Sequence, residues 1–222
     1  MTDRAAIRRR YLALDTATIC DVFDTLGLPE PALDSTIQRI TTPRAKAAGW
    51  AYTIEGAFTV GAGPDRLKLQ IADSLPEDSV SVWGGTNARG ICLFGDLISL
   101  TMFRRGCRGA IVDGGVRDVD AISALDFPVF ARYRSPVQSI GRWRVVRHDL
   151  PISLPGALGR LVPVNPGDFV LADSDGVVVI PQDRVLEILE AAEDVVRKET
   201  EARELGAKGL SAQEMLDRYG HV

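Results

Sequence analysis

The chain predicts a single-domain α/β fold with mixed strand pairing, on three observations. Short apolar, β-branched runs alternate with segments of helical spacing up to Pro181. The central run Gly109-Ala110-Ile111-Val112 carries no polar residue, as in a strand covered on both faces. No repeat, low-complexity stretch or linker interrupts the 222 residues, a length that buries one substantial core.

In order, a first helix is expected from Ala5 to Leu14, with Arg8-Arg9-Arg10 on its solvated face. Thr18 and Asp21 resemble a capping pair that opens a second helix through Ile19, Val22, Phe23 and Leu26, with Gly27 as stop. Strands follow at Ala47–Ile54 and Ser79–Trp83, with a helix around Leu67–Ala72 between them. From Gly95, the segment Asp96 to Arg105 spaces Leu97, Ile98, Leu100, Met102 and Phe103 as a mostly buried helix ending at Gly106. Val129–Ala131, Trp143–Arg147, Phe169–Ala172 and Val177–Ile180 are the later strand candidates, with Pro166-Gly167-Asp168 and Asp173-Ser174-Asp175-Gly176 as turns. A C-terminal helical segment occupies about 182–222: Val185, Leu186, Ile188, Leu189, Ala192, Val195 and Val196 keep helical spacing, and Ser211-x-x-Glu214 reads as a capping box for a last helix.

The chemistry concentrates between Phe94 and Asp118. The strand Gly109–Val112 is expected to stop at Asp113-Gly114-Gly115, leaving a glycine-rich loop at a strand's carboxyl end, where α/β sheets place their ligands. Twenty residues separate Asp96 from Arg117, about a helix, a turn and a strand, which returns the chain to the same sheet edge. Asp96, Arg117 and Asp118 are therefore expected to converge. The first amides of the helix after Gly95, near Leu97 and Ile98, have no partner inside the helix and suit an anion, and Arg117 offers a planar fork to the same anion or to a developing oxyanion. Taken singly, a Gly-Asp-Leu turn reads as structural, Arg-Asp as a surface ion pair and Asp118 as an N-cap.

Composition narrows the alternatives. Twenty-six basic and thirty acidic residues give a net charge of −4, so no overall positive field points to nucleic acid. No stretch reaches 18 uninterrupted apolar residues and Met1-Thr2-Asp3-Arg4 does not open a secretory signal, so a cytoplasmic location with no membrane is expected. Cys20, Cys92 and Cys107 lack CxxC spacing and read as buried thiols. Two histidines, His148 and His221, give zinc or a serine triad almost no raw material. The lysines are Lys46, Lys68, Lys198 and Lys208; none lies between Gly95 and Asp118, so that stretch offers no Schiff-base lysine.

Asp96 and Arg117-Asp118 at this spacing, with Gly-Asp-Leu and Asp-Gly-Gly-Val in front, resemble the RraA-like group that includes the 4-hydroxy-4-methyl-2-oxoglutarate/4-carboxy-4-hydroxy-2-oxoadipate aldolases. The resemblance extends to Thr18-Ile19-Cys20-Asp21-Val22, Gly49-Trp50-Ala51-Tyr52-Thr53-Ile54, Val164-Asn165-Pro166-Gly167-Asp168 and Asp173 through Pro181. It implies one RraA-like domain over 1–222 with a swivelling β/β/α-type layered fold. It also implies a class II pyruvate aldolase that cleaves a 4-hydroxy-2-oxo acid to pyruvate, with oxaloacetate decarboxylation alongside. In that scheme Asp118 is the direct ligand of Mg²⁺ or Mn²⁺, Asp96 holds water on the metal, Arg117 stabilises the enolate oxygen, and Gly95 and the amides of Leu97 and Ile98 hold the substrate carboxylate. Carboxylates, water and substrate oxygens select hard cations, which agrees with the residue inventory.

The resemblance further implies a cyclic homo-oligomer, a trimer or hexamer, in which the C-terminal helix approaches a neighbouring site with Glu199 as the candidate carboxylate. Arg132, Arg134 and Ser135 follow a strand and are candidates either for the distal part of a substrate or for plain surface. The alternative function is a non-catalytic RraA-like regulator that binds a protein such as a ribonuclease. The converging charges of Asp96, Arg117 and Asp118 favour the enzyme, since a protein-binding surface needs no such set.

Overall fold

The structure, a computed structural model, describes residues 3–41, 45–61, 63–85, 88–207 and 214. Helices α1 (Arg4–Tyr11) and α2 (Thr16–Thr25) precede a two-residue strand β1 (Gln38–Arg39) and the long strand β2 (Ala47–Phe58). Helix α3 (Arg66–Ser74) leads to β3 (Ser79–Gly84), β4 (Cys92–Phe94), α4 (Asp96–Arg104), β5 (Ala110–Val116), α5 (Val119–Ser123) and β6 (Val129–Arg134). Strand β7 (Trp143–His148), the ribbon β8 (Ile152–Pro155) and β9 (Leu161–Val164), and the hairpin β10 (Phe169–Ala172) and β11 (Val177–Ile180) follow. The turn Gln182–Arg184 then opens the long helix α6 (Val185–Ala207).

The main sheet runs β1-β6-β5-β3-β2-β10-β11, with parallel pairing from β6 to β2 and antiparallel pairing outside it. Two strands fork from this path: β4 pairs with the last residues of β5, and β7 pairs with the far half of β2. A register shift accompanies each fork, and the sheet curls there.

Alternation along the strands makes three layers. Val80, Val82, Ile111, Phe130, Val170 and Val179 face the β8–β9 ribbon, which adds Ile152, Leu154, Val162 and Val164. On the opposite face Trp83, Val112, Val116 and Ala131 meet Ile71, Met102 and Ile122 of α3, α4 and α5. Further along that face, Trp50, Phe169 and Leu171 meet α1, α2 and α6. Phe169 is fully buried there, stacked 4.3 Å from Tyr11 and edge-on 5.2 Å from Trp50. The layering agrees with the fold that the resemblance implies, and the mixed pairing with the expectation read from the residues.

Several elements differ from it. Helix α2 begins at Thr16 after Asp15, so Thr18 is a buried interior residue and does not cap. The opening is held instead by Asp173, which accepts from the Thr16 amide at 2.8 Å and hydroxyl at 2.7 Å. Strand β5 does not stop at Asp113 but runs to Val116, because glycines at 114 and 115 let Leu93 and Tyr133 press on the backbone. The ribbon β8–β9 escapes the sequence reading because each strand is four residues long and carries a proline, tolerated in a two-stranded ribbon. Arg8 and Arg10 are tied to Asp78 and Glu193 at 3.0 and 2.6 Å, so of the arginine run only Arg9 presents a largely solvated side chain. Ser211 and His221 lie outside the described residues, as does Lys208.

Candidate active site

Three parallel strands end side by side: β4 at Phe94, β5 at Val116 and β6 at Arg134. Each continues into a residue of interest, namely Gly95, Arg117 and Ser135. The Arg117 amide donates to the Phe94 carbonyl at 3.3 Å and the Ser135 amide to the Val116 carbonyl at 3.0 Å, which fixes the three ends against one another.

Asp118 follows in the left-handed region at φ 56°. Asp78, Asp126 and Asp149 share that conformation, so the backbone alone does not mark a site. Its surroundings do. Asp118 occupies the N-cap position of α5, yet its side chain makes no cap bond. Asp118 Oδ2 instead accepts from the Asp96 amide at 3.3 Å and from Arg117 Nε at 3.1 Å. A Cβ on Gly95 would overlap that same oxygen and crowd the Arg117 side chain, so any larger residue there would displace both site side chains. Asp96 Oδ1 accepts from the Leu97 amide at 2.8 Å. Gly95, Asp96, Leu97, Arg117 and Asp118, grouped from sequence by spacing, thus meet in one place.

A cavity of about 220 Å³ opens beside them. Gly95, Asp96, Leu97, Ile98 and Arg117 line it together with Lys68, Ser139 and Ile140. A second, shallower cavity of about 330 Å³ lies against Arg117 and Asp118 and includes Arg134 and Ser135. Arg117 borders both. Arg132 does not take part: its guanidinium is engaged by Asp113, Asp34 and Thr36.

Lys68 is the residue that sequence spacing missed. It comes from α3, well outside the 95–118 stretch, and is buried in the cavity wall. Burial pushes its ammonium below the ordinary lysine range; nearby Asp65 acts against that shift and Arg117 adds to it. Its alternation with Leu67 and Leu69 in the sequence gave no sign of this placement.

Helix α4 is less buried than expected. Ser99 and Met102 are covered, whereas Leu97 is 73% exposed and Phe103 44%. Leu69, Val137 and Ile140 are exposed as well, and Leu69, Leu97 and Ile140 line the cavity, so its mouth is rimmed with apolar surface. Glu199 lies on α6, bonded to Arg203 at 2.8 Å, and does not line either cavity within one chain.

No group of three or more His, Cys, Asp and Glu side chains placed to share a metal ion occurs among the described residues. The donors at hand, Asp118 and Asp96, are hard carboxylate oxygens, which fit a Mg²⁺- or Mn²⁺-like cation completed by water and ligand oxygens and do not suit zinc. No helix among the described residues is long and apolar enough to cross a membrane.

Fold and site together define a mixed α/β protein with an arginine–carboxylate cluster at the carboxyl ends of its parallel strands. The sequence model of the RraA-like family, described as Aldolase/RraA, matches residues 16–179, and the chain belongs to that family. Protein DlpA of Legionella pneumophila is 28% identical over 95% of this chain, which spans only 33% of DlpA's own length. A Halalkalibacterium halodurans protein bearing the name "Putative 4-hydroxy-4-methyl-2-oxoglutarate aldolase" is 30% identical over 88% of this chain and 85% of its own. The crystal structure of Streptomyces coelicolor RraAS2, titled an unusual member of the RNase ES inhibitor RraA protein family, superposes with a TM-score of 0.77 over 91% of this chain and 98% of that one; at 23% identity it speaks for the fold.

Proposed function

We propose that this chain is a divalent-metal-dependent carbon–carbon lyase, a class II pyruvate aldolase that cleaves a 4-hydroxy-2-oxo acid to pyruvate and also decarboxylates oxaloacetate. The observation that carries the reading is the meeting of Asp118 Oδ2, the Asp96 amide and Arg117 Nε beside a cavity sized for a small oxo acid. The aldolase name of the Halalkalibacterium relative supports the same class. When bound, Mg²⁺ or Mn²⁺ supplies a Lewis acid to the 2-keto oxygen.

The remaining roles fall to this chain's own groups. Asp118 would hold the cation directly and Asp96 would hold water beside it. The carboxylate at C1 takes the amides of Leu97 and Ile98 at the start of α4, where the helix dipole also favours an anion; the Leu97 amide exchanges its present bond to Asp96 for the substrate. Arg117 faces the oxygen on which negative charge grows as the C3–C4 bond breaks, and stabilises it there. Aldol cleavage and decarboxylation both place that charge on the same oxygen. In the cleavage the C4 hydroxyl proton would pass to the water beside Asp96; in the decarboxylation CO₂ leaves. In both, C3 of the enolate takes up a proton from water.

Lys68 is the lysine in the cavity wall, its ammonium donating to a backbone carbonyl and a hydroxyl, so the test includes a check for a Schiff base there. Pyruvate release from oxaloacetate and from 4-hydroxy-4-methyl-2-oxoglutarate, measured with Mg²⁺ and with EDTA, tests the reading. Turnover is expected with the metal and none after chelation, and borohydride with pyruvate should leave the enzyme active. Covalent trapping at Lys68 would overturn the metal mechanism, and absence of turnover on every oxo acid would favour a regulator that binds a protein partner.

A further inference from the structure

We propose that Lys68 is a positioning residue of this site, its ammonium bracing β4 and the 135–142 loop so that the Gly95–Ile98 amides and Arg117 stay fixed around the cavity. The proposal rests on the lyase reading of that cavity. Lys68 Nζ donates to the Leu93 carbonyl at 2.6 Å and to Ser139 Oγ at 3.0 Å. It lies 3.8 Å from Asp65 Oδ2 and 5.1 Å from the centre of the Trp143 ring. These partners come from four separate segments: the cap of α3, β4, the 135–142 loop and β7.

Leu93 sits at the register shift between β4 and β5, where ladder bonding is irregular, and two residues later the chain reaches Gly95. Through the Leu93 carbonyl, α3 holds the strand end that carries the site. Asp65 completes the brace: it caps α3 at the Lys68 amide and accepts from the Val145 amide at 2.8 Å, so the counter-charge is itself pinned between α3 and β7. Only 9% of the Lys68 side chain is exposed. A methionine would fill that space without the cost of burying a charge, so the charge is a cost that packing does not require.

The brace depends on protonation. The groups facing Lys68 are Asp65 from α3, Cys92 from β4 and Arg117 beyond β5, with Ser139 and Trp143 neutral. Deprotonation leaves two N–H groups, enough for Leu93 and Ser139, but removes the attraction to Asp65 and the Trp143 ring that holds the ammonium between them, so turnover should fall on the alkaline side as the charge is lost. Stability has the opposite sign. With the folded affinity for the proton below that of the unfolded chain, the unfolded chain binds more protons between the two pKa values, and Lys68's contribution to stability rises with pH there.

Lys68→Met and Ser139→Ala test this, using oxaloacetate turnover with Mg²⁺ from neutral to alkaline pH, at a temperature well below unfolding, together with urea melts. Lys68→Met should lose about 10- to 10²-fold in kcat/KM, the scale of a misplaced catalytic geometry, and should lack the wild-type alkaline limb. The wild-type-minus-variant stability should rise over the same pH range. Ser139→Ala, which keeps the lysine and drops one anchor, should lose less and retain the limb. A Lys68→Met enzyme within about twofold of wild type, or one with the same alkaline limb, overturns the proposal. Should that variant not fold, unchanged kinetics in Ser139→Ala overturn it. A wild-type protein with no turnover overturns the lyase reading, and this proposal with it.

Discussion

At the residue scale, the lyase reading gives Arg117 and Asp118, adjacent in sequence, separate roles that substitution can tell apart. Asp118→Asn should abolish activity and weaken cation binding, because a neutral amide replaces the main anionic donor. Arg117→Ala should lower kcat by about 10²–10³ while leaving metal affinity nearly unchanged, the usual loss for one preorganised oxyanion donor. Arg117→Lys should restore only part, since an ammonium lacks the planar fork. Steady-state kinetics beside a metal titration separate the two, and near-normal turnover in Arg117→Ala refutes the lyase assignment. Gly95 belongs to the same scale: Gly95→Ala places a methyl group on Asp118 Oδ2 and should disturb activity as strongly as a charged-residue change. Asp96, Arg117 and Asp118 could be grouped from spacing alone because one helix and one strand lie between them. Lys68 could not, since the chain between it and Gly95 holds the rest of α3 and two strands, β3 and β4, whose connections follow a path that no spacing rule predicts.

At the element scale, the strands that pair in the middle of the sheet were legible from their short apolar, β-branched runs, such as Ala110-Ile111-Val112 and Val129-Phe130-Ala131, whereas β4 is three residues long and β8 and β9 each carry a proline. Helix α6 was legible for its apolar stripe, and the structure shows what the stripe meets: Val185, Ile188, Leu189 and Ala192 pack with α1 and α2 over Trp50 and Phe169. Ile188 is fully buried, so Ile188→Ala should cost about 2–5 kcal/mol in a urea melt. A cost under about 0.5 kcal/mol would mean that α6 docks loosely. Helix α4 was misjudged in burial because the same apolar spacing serves a core or an interface, and sequence does not say which.

At the scale of the whole molecule, that apolar rim has a consequence. Leu69, Leu97 and Ile140 stand exposed around the cavity mouth, and Glu199 lies on a helix that does not reach the cavity within its own chain. The trimer or dimer of trimers that the family resemblance implies would cover the rim and could bring a neighbour's Glu199 toward the site. Light scattering should therefore return a mass three or six times that of the 24.0 kDa chain. A strictly monomeric mass with full activity rules out a site completed between subunits. Glu199→Gln should then lower turnover without changing the assembly.

The amino-acid sequence by itself determined the α/β class, the apolar central strands, the C-terminal amphipathic helix and the grouping of Gly95, Asp96, Leu97, Ile98, Arg117 and Asp118, all properties carried by local periodicity or by one short excursion of the chain. Only the tertiary structure decided that Asp118 bonds back to the Asp96 amide without capping α5, that Arg132 is consumed by Asp113 and Asp34, and that Lys68 stands in the cavity wall. Those outcomes depend on which strand ends lie side by side and which charges burial forces together. Such long-range contacts follow from the packing of the whole sheet, which no window of sequence contains.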